Sequence, residues 1–425
     1  MPEALEGLRV VEMTTALQGP SAAGYMTDMG ASVTRIEPPE GDASRFHRGV
    51  DNYHPEGTPG GQFIMTSRGK RSVWLDIHTD MGMEVVLKLV DEADVFMSNY
   101  RESSLERLGL GYERLKARNP QIIYAVASGF GPAGPDSDRG MWDGAAQARG
   151  GAVAITGEPG GPPMMAGAAI GDTASGMMFA LGIMSALVTR DRQGIAQKVN
   201  TSAYGTQIWI QMWEVIQSSI TGHPLTRQGA HHSNIPGGYG VYHTADGSSL
   251  FLAFAQTEEA WQAFCDFGGI PEIGTDERWN TLQKRMGMGN DAEGRTAREV
   301  VPFIEKAFSS KTRSEWVEFL DSEPDIIYNA VFELTDVLND PQAAANSYIV
   351  ERDIPMAGRH KVVGPNVLLS ETPGSVKDTI PELGQHTEEV MLELGFSWDE
   401  ITQLNDQTRE AVRQQFIALG LEPPY

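Results

Sequence analysis

The sequence predicts an α/β protein: a large doubly wound parallel-sheet domain joined to a smaller α+β domain. Three observations carry that expectation. Short β-branched runs alternate with helix-length patterns through the first 130 residues; a Gly- and Pro-rich stretch interrupts them over 131–171; and residues 255–322 turn helical and charged. Strand, helix, strand in succession requires crossover helices between parallel strands.

The elements follow in order. Leu8-Arg9-Val10-Val11-Glu12-Met13 reads as a strand, 21–28 as a helix and Ser32-Val33-Thr34-Arg35-Ile36 as the next strand. The alternation continues through Ser72-Val73-Trp74-Leu75, a helix near 81–92, Val95-Phe96-Met97 and Ile122-Ile123-Tyr124-Ala125-Val126. Residues 131–171 read as loop around a short helix near 142–150, and loops of this kind carry function. Helical tracts are expected over about 173–190 and 202–222. After a break near 231–240, Gly240-Val241-Tyr242-His243 and Ser249-Leu250-Phe251-Leu252 form a strand pair turning through Ala245-Asp246-Gly247. From 331 onward come one or two strands and two polar helices. The resulting division is 1–225 for the first part of the large domain, 226–330 for the small domain and 331–425 for a C-terminal segment returning to the large one.

Composition narrows the function. The 33 Lys and Arg against 57 Asp and Glu give a net charge of −24, which repels the phosphate backbone of nucleic acid and anionic membrane surfaces. The 47 glycines and 24 prolines among 425 residues stay below the roughly one quarter that marks low-complexity disorder. The N-terminus has no basic n-region, and the longest apolar run, 177–188, is shorter than a bilayer span. A cytoplasmic protein without nucleic-acid or membrane partners is the expectation. A single cysteine, Cys265, excludes a disulfide framework and a thiolate metal cluster; its setting Trp-Gln-Ala-Phe-Cys-Asp-Phe reads as one apolar helix face.

Several motifs fail. Gly129-Phe130-Gly131-Pro132-Ala133-Gly134 matches G-x-G-x-x-G after a strand, but Pro132 has no amide to donate to a pyrophosphate and Pro135 blocks the helix that would hold it. There is no Walker loop, no H-E-x-x-H, no EF-hand and no G-x-S-x-G elbow. The one close histidine pair, His231-His232, points two rings in divergent directions, so no metal site is expected.

Two features remain. Gly171-Asp172-Thr173-Ala174-Ser175-Gly176 opens an apolar helix with a single carboxylate at its head. Asp172 reads either as an N-cap accepting amide hydrogen bonds or as a fixed, ionised nucleophile favoured by the positive end of the helix; spacing alone leaves both open. The second is a cationic cluster in an acidic chain: Arg68-Gly69-Lys70-Arg71, then Asn99-Tyr100-Arg101 with Arg107 beyond. It reads either as a salt-bridged surface or as a site for a phosphorylated cofactor, with arginines on phosphate oxygens and Tyr100 against a purine. Coenzyme A suits the second reading.

Taken in order along the chain, these pieces resemble the family III CoA-transferases, the group of formyl-CoA, carnitine and benzylsuccinate CoA-transferases. The resemblance rests on Leu5-Glu6-Gly7-Leu8-Arg9-Val10-Val11-Glu12-Met13-Thr14 with Gly19-Pro20, Gly30-Ala31-Ser32-Val33, Ile36-Glu37-Pro38, Arg68-Gly69-Lys70-Arg71-Ser72-Val73 and Ala93-Asp94-Val95 with Asn99-Tyr100-Arg101. It continues through Arg107-Leu108-Gly109-Leu110-Gly111-Tyr112, Asn119-Pro120, Ser128-Gly129-Phe130-Gly131, Asp143 with Gln147-Ala148, Gly171-Asp172, Asp340-Pro341-Gln342 and Pro381-Glu382-Leu383-Gly384-Gln385-His386. It implies a Rossmann-like large domain, an interlaced, ring-like dimer, and Asp172 as the nucleophile that passes through an aspartyl anhydride and an aspartyl-CoA thioester.

The resemblance further implies that Leu17 and Gln18 lie near the thioester end of CoA, that Arg68, Lys70, Arg71, Asn99, Tyr100 and Arg107 hold the nucleotide, and that Gly237-Gly238-Tyr239-Gly240 after Pro236 is a glycine loop covering the site. That segment also reads as an ordinary turn before a strand. Leu17 replaces a glutamine of some relatives. At Pro38 some relatives carry an arginine, whose contact Arg35 or Arg45 would have to supply. No cofactor or metal is permanently bound; CoA thioesters and carboxylic acids are the expected small-molecule partners, with a homodimer or a heteromer with a related subunit. The donor reads as succinyl-CoA and the acceptor as an aryl-substituted dicarboxylate such as benzylsuccinate, with Trp142, Met164, Met165 and Tyr239 for an apolar pocket and Arg139, His231 and His232 for a second carboxylate. The alternatives are α-methylacyl-CoA racemase-like proton transfer, for which Met141-Trp142-Asp143 lacks the Gly-His-Asp histidine, and a subunit of a heteromeric CoA-transferase.

Overall fold

The computed structural model describes residues 2–47, 49, 58–288, 295–355 and 357–422 and divides into two units. The larger comprises Met1–Gly150, Gly167–Ile210 and Leu338–Tyr425, the smaller Gly151–Ala166 and Gln211–Val337. The smaller unit therefore starts before the expected 226, runs past 330 and recruits a piece of the Gly- and Pro-rich stretch.

The larger unit is built on a parallel sheet. Its elements are β1 (Arg9–Met13), α1 (Gln18–Asp28), β2 (Ser32–Glu37), α2 (Gly61–Ser67), β3 (Arg71–Trp74), α3 (Asp80–Glu92), β4 (Val95–Ser98), α4 (Glu102–Arg107), α5 (Tyr112–Arg118), β5 (Ile123–Ser128) and α6 (Asp143–Gly150). The short helix α7 (Ala152–Ile155) belongs to the smaller unit; α8 (Ile170–Gln193), β6 (Lys198–Ser202) and α9 (Ala203–Ile210) complete the larger one. All six strands are parallel, in the order β3-β2-β1-β4-β5-β6. Alternating side chains divide between two faces. Val10, Val33, Val95 and Ile123 pack with Phe179 and Ile183 of α8, while Val11, Met13, Phe96 and Tyr124 face Val86 and Val90 of α3 and Leu404 of the C-terminal helix Trp398–Ala418.

The C-terminal segment also closes the sheet's edge. The β3 amides of Ser72 and Trp74 donate to His386 Nδ1 at 3.1 Å and Thr387 Oγ1 at 2.9 Å, so side chains satisfy donors that an exposed edge would leave open.

Two expectations about the middle of this unit change. β6 carries one large aliphatic residue, Val199, and is only partly buried, so its sequence gives little strand signal; its order comes from pairing with β5. The α8 helix spans 24 residues, long and apolar enough to cross a membrane, yet half of its apolar window is buried in the fold. Gly176 lets α8 approach α1: a Cβ there would collide with the Ser21 side chain and lie 2.7 Å from the Gln18 carbonyl oxygen. That approach brings the head of α8 to the start of α1.

In the smaller unit the predicted strand pair is β7 (Gly240–His243) and β8 (Ser249–Ala255), extended by β9 (Ile326–Ala330) into an antiparallel sheet ordered β7-β8-β9. Its core is aromatic, with Trp261, Phe264, Trp279, Phe308 and Trp316 fully buried. Cys265 sits in that core, where burial pushes its thiol up to about 12, far from a reactive thiolate. The helical tract expected over 202–222 breaks at Gln211 into α9 and the helix Met212–Thr221.

Candidate active site

In an open parallel sheet, ligands bind beyond the carboxyl ends of the strands where the strand order reverses. Here the chain moves outward from β1 through β2 to β3 and then returns to β4 on β1's other side, so the reversal lies between β1 and β4. A cavity of about 170 Å3 opens there. Its lining includes Thr15, Ala16 and Gln18 after β1, Asn99, Tyr100 and Arg101 after β4, Ser128 and Gly129 at the end of β5, the 137–142 segment, and Asp172.

The two loops at the reversal are locked together by one side chain. Asn99 Oδ1 accepts the Thr15 amide at 2.9 Å, and Asn99 Nδ2 donates to the Thr15 carbonyl at 2.8 Å. Ala16, next in sequence, has φ of +60°, a left-handed conformation that costs an L-residue about 1–2 kcal/mol. The Asn99 clamp fixes the turn that carries the chain from β1 into α1.

Asp172 is not the cap of its helix. The N-cap position is Ala169, which offers no side-chain acceptor, and Asp172 stands in the first turn. The cap is supplied from outside: Asp143 Oδ1, at the start of α6, accepts the amides of Gly171 at 2.7 Å and Asp172 at 3.0 Å. Gln147 Nε2 holds the other Asp143 oxygen at 2.7 Å. With capping done by Asp143, the Asp172 carboxylate accepts no hydrogen bond among the described residues and faces the cavity. Burial, then the nearby negative charge of Asp143, raises its pKa to about 6. Partial desolvation makes a carboxylate more basic and more nucleophilic, and near neutral pH it remains ionised.

The other expected site residues divide into two groups. Gln18, Asn99, Tyr100 and Trp142 line the Asp172 cavity, Trp142 being 75% exposed. Tyr100 also borders a second cleft of about 570 Å3, whose lining includes Ile36, Pro38, Leu75, Ile77, His78 and Arg107. Leu17 is half-buried and is not among the residues lining either cleft.

The basic run before β3 takes its salt-bridged reading. Lys70 is buried and pairs with Glu12 of β1 at 2.6 Å, burial lowering its pKa to about 8. Arg68 is buried against Asp28 and donates to the Val363 carbonyl at 2.8 Å. Arg71 reaches Glu393 at 2.7 Å and Glu389 at 3.3 Å. None of the three lines the cavity or the second cleft. The physical reason is position: the run precedes β3, where Lys70 and Arg68 neutralise the buried carboxylates of Glu12 and Asp28 and Arg71 pairs with the exposed Glu389 and Glu393. Nor are Arg35 and Arg45 free to replace an arginine at Pro38, since Arg35 pairs with Asp42 at 2.7 Å and Arg45 holds Glu37 with its guanidinium 4.0 Å over the Phe63 ring.

Within the smaller unit, Gly237, Gly238 and Gly240 are buried, and Gly237 adopts a φ of +79° where a Cβ would strike the Arg285 carbonyl. Tyr239 packs edge-on against Phe251, and the Gly238 carbonyl accepts from Tyr242 Oη at 2.9 Å. In this arrangement the segment is a packed turn leading into β7. His231 Nδ1 lies 3.3 Å from the Tyr239 carbonyl, and His232 stacks on Trp213 with Glu214 at 3.5 Å. Met164 and Met165 of this unit are about half exposed.

Two roles escaped the sequence reading. Asp143 figures there only in the resemblance, because the amides it caps lie 28 and 29 residues further on and no local pattern joins them. Ala16 carries no sequence mark of a left-handed conformation, which glycine or asparagine would have given.

The chain has known relatives in sequence and in fold. Residues 5–387 match the family model described as CoA-transferase family III. The chain is 32% identical over 405 residues, 92% of its length and 96% of the relative's, to a succinyl-CoA:mesaconate CoA-transferase of Haloarcula marismortui. It is 31% identical over 393 residues, 92% of this chain and 95% of the relative, to a succinate–glutarate CoA-transferase of Agrobacterium fabrum. Among solved structures, a CAIB/BAIF family protein from Brucella suis superposes with a TM-score of 0.79 at 28% identity, covering 93% of this chain and 100% of that one. With the six-stranded parallel sheet and the match across most of the chain, the protein belongs to CoA-transferase family III and is an enzyme that moves CoA between acyl-CoA thioesters and carboxylic acids.

Proposed function

We propose that the chain transfers CoA from succinyl-CoA to a substituted dicarboxylic acid, with benzylsuccinate as the model acceptor, through covalent intermediates on Asp172. The observation that carries this reading is the Asp172 carboxylate itself: relieved of capping by Asp143, without a hydrogen-bond partner among the described residues, and facing the cavity at the strand-order reversal.

The steps balance without an external acid. A carboxylate oxygen of Asp172 attacks the donor thioester carbon, the C–S bond breaks, and CoA leaves as thiolate, giving a mixed anhydride. The thiolate attacks the Asp172 carbonyl of that anhydride, releasing the donor acid and forming an aspartyl-CoA thioester. The acceptor carboxylate attacks this thioester, whose C–S bond breaks to release CoA thiolate and leave a second mixed anhydride; the thiolate then attacks the acceptor carbonyl of that anhydride, forming the acceptor's CoA thioester and expelling the Asp172 carboxylate. Dividing one acyl exchange in this way works only where water is kept from the anhydride, which suits a small, recessed cavity. The second cleft, sharing Tyr100 with the first, has room for the nucleotide arm of CoA and offers Arg107 to its phosphates. Trp142 at the cavity supports an aryl-bearing acceptor. No histidine is among the lining residues of the Asp172 cavity, and both Asp143 oxygens are engaged, which favours transfer over a two-base proton exchange.

The test is a mass-spectrometric assay of acyl-CoA products after mixing the protein and succinyl-CoA with a panel of mono- and dicarboxylic acids. Formation of the acceptor's CoA thioester with equimolar succinate is expected. Succinate release without a new thioester would contradict the reading.

We further propose that the working form is a homodimer. The helix Met212–Thr221 has no buried residue, although Met212, Trp213, Ile216 and Ile220 are 49–77% exposed; an apolar helix left so open is covered by another surface. Sedimentation is expected to give twice the chain mass, and a monomer at micromolar concentration would contradict the assignment.

A further inference from the structure

We infer that Arg101 and Arg139 read the distal carboxylate of the acceptor, so that this enzyme selects dicarboxylic over monocarboxylic acids; the inference rests on the transferase reading of Asp172. The argument begins with charge. In a chain of net charge −24, many guanidiniums meet a carboxylate: Arg35 with Asp42, Arg45 with Glu37, Arg68 with Asp28, Arg118 with Asp91, Arg149 with Asp136 and Arg190 with Asp94. The Arg101 carbonyl accepts the amides of Ser104 and Leu105, but its guanidinium makes no hydrogen bond or ion pair to any described residue. The Arg139 guanidinium lies 5.7 Å over the Phe130 ring and has one long ion pair, 3.8 Å to Asp136, whose carboxylate is already held by Arg149 at 2.5 Å.

These two side chains line the same cavity as Asp172, which supplies the only carboxylate in its described lining. The Arg101 side chain reaches the backbone beside Arg139, because a Cβ on Gly140 would lie 2.8 Å from a terminal nitrogen of Arg101. Neither neutralises Asp172, whose raised pKa reflects burial and Asp143 and no arginine. The cavity thus holds a nucleophile at one place and surplus positive charge at another. A ligand with a carboxyl group at each end matches both.

Size separates this ligand from the CoA nucleotide. The cavity of about 170 Å3 is below the roughly 300 Å3 at which pockets begin to hold drug-sized molecules, so it is too small for that nucleotide. The nucleotide has the larger cleft bordered by Arg107. Guanidiniums meet a carboxylate with two parallel donors, a pairing that a methyl group in its place cannot make.

Glutarate and pentanoate are five-carbon acids differing by one carboxylate for one methyl, so the test compares them as acceptors with succinyl-CoA as donor. In a ping-pong scheme kcat/KM for the acceptor reports only the steps after the donor acid has left. The native enzyme is expected to prefer glutarate by tenfold or more, and Arg101→Gln and Arg139→Gln each to lose most of that preference. Arg101→Lys, which keeps the charge but not the fork, is expected to fall between. Both side chains are exposed, so melting temperatures should stay at the native value. A native enzyme without preference would overturn the inference, and so would glutarate and pentanoate losing equally in both glutamine variants, the result expected of arginines that bind CoA. Transfer to no acid at all would instead overturn the underlying transferase reading.

Discussion

Replacing Asp172 by asparagine is expected to lower CoA transfer by about 10^4-fold or more, the scale of removing a covalent nucleophile, while leaving the protein folded and, near neutral pH, slightly more stable. The two effects have one origin. In the folded chain the Asp172 pKa is raised to about 6 from 3.8, so between those values the folded state binds more protons than the unfolded one. Stability therefore falls as pH rises through that window, and the ionised group remains a net cost above it. Asparagine has no such cost. Its melting temperature should exceed the native one by about 1–3 °C at pH 7.5 and converge with it at pH 4 or below. An inactive variant with a lowered melting temperature at pH 7.5 would point to structural damage and not to a lost nucleophile.

Asp143 gives the second large effect, because it does two separable things. It accepts the first amides of α8, and its charge raises the pKa of Asp172. Asp143→Ala removes both. The lost cap is worth about 1 kcal/mol, and the loosened head of α8 misplaces the nucleophile, for which a loss of about 100-fold in kcat is expected. Asp143→Asn keeps an oxygen for the amides and removes only the charge. Native activity should fall about tenfold per unit below pH 6, as protonation withdraws the nucleophile. In Asp143→Asn that acid limb should move to lower pH, so the variant outperforms the native enzyme relative to its own plateau at pH 5. An acid limb at the same pH in both would contradict the electrostatic coupling.

The sheet was legible because its strands are buried on both faces and therefore spell themselves in β-branched residues, as Val10-Val11 and Val95-Phe96-Met97 do. β6 was missed because an edge strand with a single large aliphatic residue, Val199, draws its order from its neighbour. Asp172 was legible as an isolated carboxylate at a helix head, but its freedom from capping depends on Asp143, brought in by tertiary folding from 29 residues away. The basic run at Arg68, Lys70 and Arg71 misled for a related reason. Composition shows that cations cluster there; it does not show that Glu12 and Asp28 are buried beside them and take their charge. Arg101, by contrast, stands out only once the lining of the Asp172 cavity is known.

The central claim is that Asp172 becomes covalently acylated, and peptide mass mapping after incubation with succinyl-CoA and hydroxylamine tests it directly. Hydroxylamine converts an aspartyl anhydride or thioester into a stable hydroxamate. A hydroxamate on Asp172 that requires the CoA ester and is absent from Asp172→Asn is the predicted result. Unmodified Asp172 in a preparation that still transfers CoA would contradict the account.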